Sequence, residues 1–279
     1  MIVKQPIGVI DSGVGGLTVA SELIRQLPKE SIIYLGDTKR CPYGPRPKEE
    51  VIQYTWEMVH FLLERDIKML VIACNTATAF TLEQLREELS IPVVGVIQPG
   101  ARAAITHSRT DEIGVIGTEG TISSKAYVDT LRQINTEIEV HDLACPRFVP
   151  LVEKGIVQGE EADQVVRETL QPLKQFSNMD TLILGCTHYP MIKALIQKEI
   201  GSTVTVISSG EETAREVSTI LEYQNKLYQG EQPPQHFFYT TGDVGVFHEI
   251  ASRWLNQKID AVDKIELNTV KSLGKGAIY

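Results

Sequence analysis

The sequence predicts an α/β fold: two pseudo-symmetric, doubly wound parallel-sheet domains from an internal duplication, with an active site in the cleft between them. Three observations carry this. First, the chain repeats itself in order: IGVI at 7–10 returns at 113–116, Cys41-Pro42 as Cys145-Pro146, Cys74 as Cys186, and VIQPG (96–100) as VISSG (206–210), at offsets between 104 and 112 residues. Such a constant series marks a duplicated unit. Second, both halves alternate short apolar, β-branched runs with helix-period patterns, the signature of buried parallel strands joined by helices. Third, MLVIACNTAT (69–78) and TLILGCTHYP (181–190) place a cysteine at the same strand-to-helix seam.

In order, residues 7–10 read as a strand followed by a Gly-rich turn. Leu17, Ala20, Leu23, Ile24 and Leu27 recur at helical spacing. A strand at 31–35 precedes a helix marked by Val51, Tyr54, Met58, Phe61 and Leu62. A strand at 68–72 precedes a helix marked by Ala79, Leu82, Leu85 and Leu89, and 92–97 closes the half as a strand. The second half predicts strands at 113–116, 137–140, 181–184 and 203–207, with helices near 123–134, 160–174 and 190–199. HFFYTTGD (236–243) reads as a further strand and 244–256 as an amphipathic helix; both are assigned to the first domain, because the second half matches without them. The expected division is 1–97 with 210–279, carrying Asp11 and Cys74, and 98–209, carrying Cys186. No motif lies beyond about residue 258.

The bulk numbers set bounds. The 279 residues suffice for two domains, and 42% hydrophobic with 23% charged residues is ordinary for a globular chain. The net charge of −9 argues against non-specific nucleic-acid binding. No apolar run reaches the ~20 residues of a membrane span. The start, MIVKQPIGVIDSG, lacks a signal-peptide pattern, so a cytoplasmic location is expected. The four cysteines form no CxxC, and structural disulfides are not expected in that compartment. Cys41 and Cys145, each before proline, read as small buried hydrophobes.

In open parallel sheets, ligands sit at the carboxyl ends of strands. Asp11, Ser12, Asp37, Cys74, Thr118 and Cys186 all follow a predicted strand. Two domains facing one another would set Cys74 and Cys186 on opposite sides of a ligand. Two opposed thiols suit inversion of a carbon centre: one thiolate removes a proton while one thiol supplies it to the other face. Helix N-terminal N–H groups at each seam would favour thiolate and bind a carboxylate. Asn75, Thr76 and Thr187 offer polar contacts. His188, two residues from Cys186, is the natural proton manager on that side, and Asp11 is the partner expected for Cys74. His188 and Asp11-Ser12 could instead serve only as turn and cap residues.

DSGVGG (11–16), GDTKRCPYG (36–44), ACNTAT (73–78) and GCTHYP (185–190), in this order, resemble the bacterial glutamate racemases of the cofactor-independent aspartate/glutamate racemase superfamily. The resemblance spans 7–243. It implies Cys74 as the base for D-glutamate and Cys186 for L-glutamate. It implies Asp11, Ser12, Tyr43, Gly44, Asn75, Thr76, Thr187 and His188 as substrate contacts, with Asp37 and Glu153 as acidic cleft positions, Glu153 near His188. It further implies no cofactor and no metal, L- and D-glutamate as substrates, a homodimer, and supply of D-glutamate for peptidoglycan.

Four other readings compete. An aspartate or hydantoin racemase of the same superfamily would share the thiols; CPYG and THYP favour glutamate. A dinucleotide-binding oxidoreductase would explain VIDSGVGGL and Asp37, but Thr18 breaks the GxGxxG spacing. A non-enzymatic two-domain amino-acid-binding protein explains the duplication but not a thiol at both strand ends. Cys74, Cys186 and His188 could be zinc ligands, but a metal there would clamp together the groups that must flank the substrate.

Overall fold

A computed structural model describes residues 3–255, 259 and 261–268. Four parallel strands begin the chain: β1 (Ile7–Asp11), β2 (Ile32–Gly36), β3 (Met69–Ile72) and β4 (Val93–Gly95), ordered β2-β1-β3-β4. Four more follow: β5 (Glu112–Gly117), β6 (Glu139–Ala144), β7 (Thr181–Gly185) and β8 (Thr205–Ser208), ordered β6-β5-β7-β8. The two orders are the same when β1 is matched to β5, so the sequence repeat is also a repeat of topology. The chain then returns to the first sheet. β9 (His236–Thr240) pairs with β2, and β10 (Val262–Lys264) pairs with β9, both parallel.

Both faces of the inner strands β1, β2, β3 and β7 are covered, which is why these strands are apolar at nearly every position rather than at alternate ones. In the first sheet Ile7, Val9, Ile32, Tyr34 and Val71 pack to one side, and Ile10, Ile33, Leu35, Leu70 and Ile72 to the other. The second sheet divides likewise, with Ile116, Leu182 and Leu184 opposite Ile113, Val115 and Ile183. The helices of the first half are α1 (Leu17–Gln26), α2 (Lys48–Leu63) and α3 (Asn75–Glu88). Those that follow are α4 (Ile97–His107), α5 (Glu119–Ser123), α6 (Ala126–Ile134), α7 (Phe148–Glu153), α8 (Glu160–Leu170), α9 (Lys193–Ile200), α10 (Ser209–Tyr223) and α11 (Val244–Trp254). No helix of the described residues is long and apolar enough to cross a membrane.

The structure departs from the expected elements at places with a local cause. The strand expected over 92–97 stops at Gly95, and α4 begins at Ile97; Pro99 falls in its first turn, where the missing N–H leaves no bond unmade. The strand expected over 137–140 instead runs over Glu139–Ala144. It is a half-exposed edge strand, so His141 and Asp142 interrupt its apolar pattern. The helix expected to reach 174 ends at Leu170, before Pro172, and continues as a 3₁₀ turn. The predicted helix near 123–134 is two, α5 and α6, broken where Lys125 adopts φ 59°. Helix α10 had no counterpart in the periodicity reading. Helix α11 ends at Trp254; residue 256 of its expected span, and 269–279 of the expected first domain, lie outside the described residues.

Candidate active site

The carboxyl ends of β1, β3, β5 and β7 converge. There a cavity is lined by Ser12, Tyr43, Gly44, Cys74, Asn75 and Thr76 from the first half and by Thr118, Val149, Cys186, Thr187 and His188 from the second. Two close approaches hold the halves together. A Cβ on Gly15 would lie 2.4 Å from Thr187 Oγ1 and 2.5 Å from His188 Nδ1, so only glycine lets the loop after β1 reach these residues. A Cβ on Gly44 would lie 2.5 Å from Thr118 Cβ, and the Gly44 carbonyl accepts from the Gly120 N–H at 2.8 Å.

The two thiols sit differently. Cys74 caps α3: its sulfur accepts from the Ala77 N–H at 3.4 Å and lies 3.7 Å from Ser12 Oγ. Burial, then the charge of Asp11, pushes the Cys74 pKa up to about 12. Cys186 has no such helix behind it. Pro190 lies in a 3₁₀ turn over Tyr189–Ile192, and α9 starts only at Lys193, so the expectation of a helix N-terminus at both seams holds for Cys74 alone. The Cys186 sulfur faces His188 Nδ1 at 3.9 Å. His188 Nε2 lies 2.8 Å from Glu153 Oε1. Burial alone would lower the imidazole pKa, but Cys186 and Glu153 on its two nitrogens outweigh it and raise it to about 10. The same contact holds the Glu153 carboxyl below its ordinary range. Trp254, at the end of α11, meets the His188 ring edge-on, with centroids 6.2 Å apart.

Asp11 is fully buried and accepts from the Gly13 N–H at 3.0 Å and Thr187 Oγ1 at 3.3 Å. Burial raises its pKa, and His188 opposes the rise. Asp37 is also fully buried but sits behind the cavity. It accepts from Tyr43 Oη at 2.5 Å, Arg40 Nε at 2.6 Å and Thr241 Oγ1 at 2.7 Å. Its three donors anchor the loop that presents Tyr43 and Gly44. Thr76, Thr118 and Thr121 form a triangle of hydroxyls 2.9–3.1 Å apart across the two halves. The Asn75 Oδ1 accepts from Tyr127 Oη at 2.7 Å, while its Nδ2 is buried with no protein partner. That amide N–H₂ is a donor ready for a ligand.

Sequence reasoning did not single out Thr121, Tyr127 or Val149. Thr121 had a signal in the repeated threonines of TEGT (118–121); Tyr127 and Val149 had none. Cys41, read as a small hydrophobe, places its sulfur 3.5 Å from Glu153 Oε1. Cys41, Glu153 and His188 bring potential metal ligands within 4.8 Å of one another. A cation there would displace the hydrogen bond that orients the His188 ring.

These features define a class: a two-domain α/β protein whose ligand cavity carries one thiol from each domain. A family model described as Asp/Glu/Hydantoin racemase matches residues 7–217, and the chain belongs to that family. It is 64% identical over 247 residues to the glutamate racemase of Oceanobacillus iheyensis, covering 88% of this chain and 90% of that one. It is 60% identical over 267 residues to that of Bacillus cereus, covering 96% and 99%. Among solved structures, glutamate racemase isoform RacE1 from Bacillus anthracis superposes with a TM-score of 0.92 at 54% identity, covering 95% and 98%. The Francisella tularensis glutamate racemase in complex with D-glutamate superposes with 0.89 at 34% identity, covering 96% and 99%.

Proposed function

We propose that the chain interconverts L- and D-glutamate by cofactor-independent, two-thiol transfer of the α-proton. The observation that carries this is the placement of Cys74 and Cys186 on one cavity, each at the end of the matching strand of its half. The similarity to glutamate racemases supports glutamate as the substrate over aspartate. A shorter substrate differs by one methylene, which by itself separates affinities by only about 1–3 kcal/mol.

With L-glutamate bound, Cys186 as thiolate takes the α-proton: the Cα–H bond breaks and an S–H bond forms. The electron pair left on the α-carbon takes the proton of the Cys74 thiol on the opposite face, giving D-glutamate and a Cys74 thiolate. The reverse turnover exchanges the roles. Burial and Asp11 favour the protonated form of Cys74, the form needed for turnover of L-glutamate, while the cationic His188, braced by Glu153, lies beside the Cys186 sulfur that gains and loses charge. Asn75 Nδ2 and the Thr76 and Thr187 hydroxyls bind the carboxylates of the substrate. The product serves peptidoglycan synthesis, and the enzyme acts in the cytoplasm as a homodimer.

The test is L-glutamate in D₂O with EDTA and no added cofactor. Loss of optical rotation with deuterium entering the α-position supports the proposal; binding without exchange favours an amino-acid-binding protein. L-Aspartate run in parallel separates the two racemase readings.

A further inference from the structure

At the end of the second sheet remote from the cleft, the register creates an arrangement that α-proton transfer does not use. Glu112 and Glu139 open β5 and β6 and are direct cross-strand partners; Gly114 and His141 are the next pair on that face. Side chains two apart on a strand share a face, so Glu112, Glu139 and His141 all project to one side. Like charges directly opposite one another destabilise a sheet. Among the described residues, neither carboxylate pairs with a lysine or arginine; both face only the His141 ring.

We propose that Glu112, Glu139 and His141 form a binding site for a divalent transition-metal cation of the zinc or cobalt type. The His141 Nε2 lies 2.7 Å from Glu112 Oε1 and 3.9 Å from Glu139 Oε1, and the three ligand atoms fall within 4.8 Å of one another. Bonds of about 2.0–2.2 Å to imidazole nitrogen and carboxylate oxygen put neighbouring tetrahedral ligands about 3.4 Å apart. One separation therefore opens by about 0.7 Å and the other closes by about 0.5 Å to reach that value. The partners are suited to this. Phe176 stacks on the His141 ring at 3.5 Å and 9°, fixing the plane of the imidazole. The His141 and Glu112 side chains are only 8% and 12% exposed, whereas Glu139 is 71% exposed and free to adjust. One imidazole and two carboxylates match a borderline cation better than a hard one, which prefers oxygen alone. Water completes the shell on the solvent side. Bound there, the ion would neutralise the facing carboxylates and cross-link β6, an edge strand of its sheet, to β5.

The experiment is a cobalt(II) titration of the full reduced chain, followed by its visible spectrum and by equilibrium dialysis. Cobalt at the active-site thiols gives intense sulfur-to-metal absorption; at the proposed site it gives ligand-field bands only. His141→Ala should bind one equivalent fewer than the unsubstituted protein, and lose those ligand-field bands while keeping any thiolate signal. Glu139→Gln, at an exposed position that leaves the core intact, should weaken this equivalent about tenfold or more. Metal-free racemisation should be the same in all three proteins. Equal cobalt stoichiometry and spectra in the three would overturn the proposal.

Discussion

Two thiols identical in chemistry are made unequal by what each residue touches. Cys74 has a helix N–H, a serine hydroxyl and the Asp11 charge around it; Cys186 has an imidazole. The imidazole is itself set by Glu153, so a carboxylate 39% exposed at the rim governs a ring buried in the cavity. By nitrogen-15 NMR, His188 should remain cationic to about pH 10. Because its folded pKa lies above the unfolded value, the contribution of His188 to stability is complete below about pH 6.5, down to the acid range in which Glu153, held below its ordinary pKa, becomes protonated. It is lost as pH rises through about 10. In Glu153→Gln, the ring should titrate at lower pH and kcat should fall; an unchanged titration would show that Glu153 does not set the charge. Asn75→Asp keeps the acceptor for Tyr127 but removes the free Nδ2 donor and adds negative charge where the proposed mechanism seats a substrate carboxylate. It should raise the KM for glutamate by about 10- to 100-fold, as expected for a lost buried hydrogen bond. The protein should still fold, as checked by circular dichroism.

At the scale of elements, a short loop after each strand decides the site. Asp11, Ser12, Asp37, Cys74, Thr118 and Cys186 were legible because strand ends can be read from apolar runs. The relation of one loop to another was not, because it depends on glycines whose value lies in having no side chain. Gly15→Ala drives a methyl group into Thr187 and His188, at 2.4 and 2.5 Å. Relief requires the Thr187 hydroxyl and the His188 ring to move by about an ångström, and displacements of that size at a reacting site cost about 10²-fold in rate. The variant should therefore lose about two orders of magnitude in kcat, with a stability loss of about 1–3 kcal/mol by denaturant melting. Full activity in Gly15→Ala would mean that the halves are not held by this contact. The 3₁₀ turn after Cys186 was misread for a similar reason: apolar residues at 189, 192, 195 and 196 fit a helical stripe, and only the geometry around Pro190 interrupts it.

The whole molecule explains why near-symmetry and local asymmetry coexist. Duplication gives two sheets of the same strand order, and hence two thiols at equivalent seams facing one cavity. That much is written in the repeat itself. The helpers diverged, and their roles required coordinates: Asp37 is an anchor for a loop rather than a wall of the cavity, and Thr121 and Tyr127 enter only through packing across the halves. This architecture constrains kinetics. The enantiomers have equal free energy in water, so kcat/KM must be the same in both directions whatever the helpers do. Asymmetry can appear only in kcat and KM taken separately, and in which proton transfer limits the rate. Cys74→Ser and Cys186→Ser each weaken one base and one acid, but in opposite directions of abstraction. The Cys186→Ser variant should show the larger α-deuterium isotope effect with L-glutamate, and Cys74→Ser the larger one with D-glutamate. Both should lower kcat/KM equally from either enantiomer. Identical isotope effects for the two variants in both directions would remove the assignment of one thiol to each face, while retention of full activity in either would end the two-thiol mechanism itself.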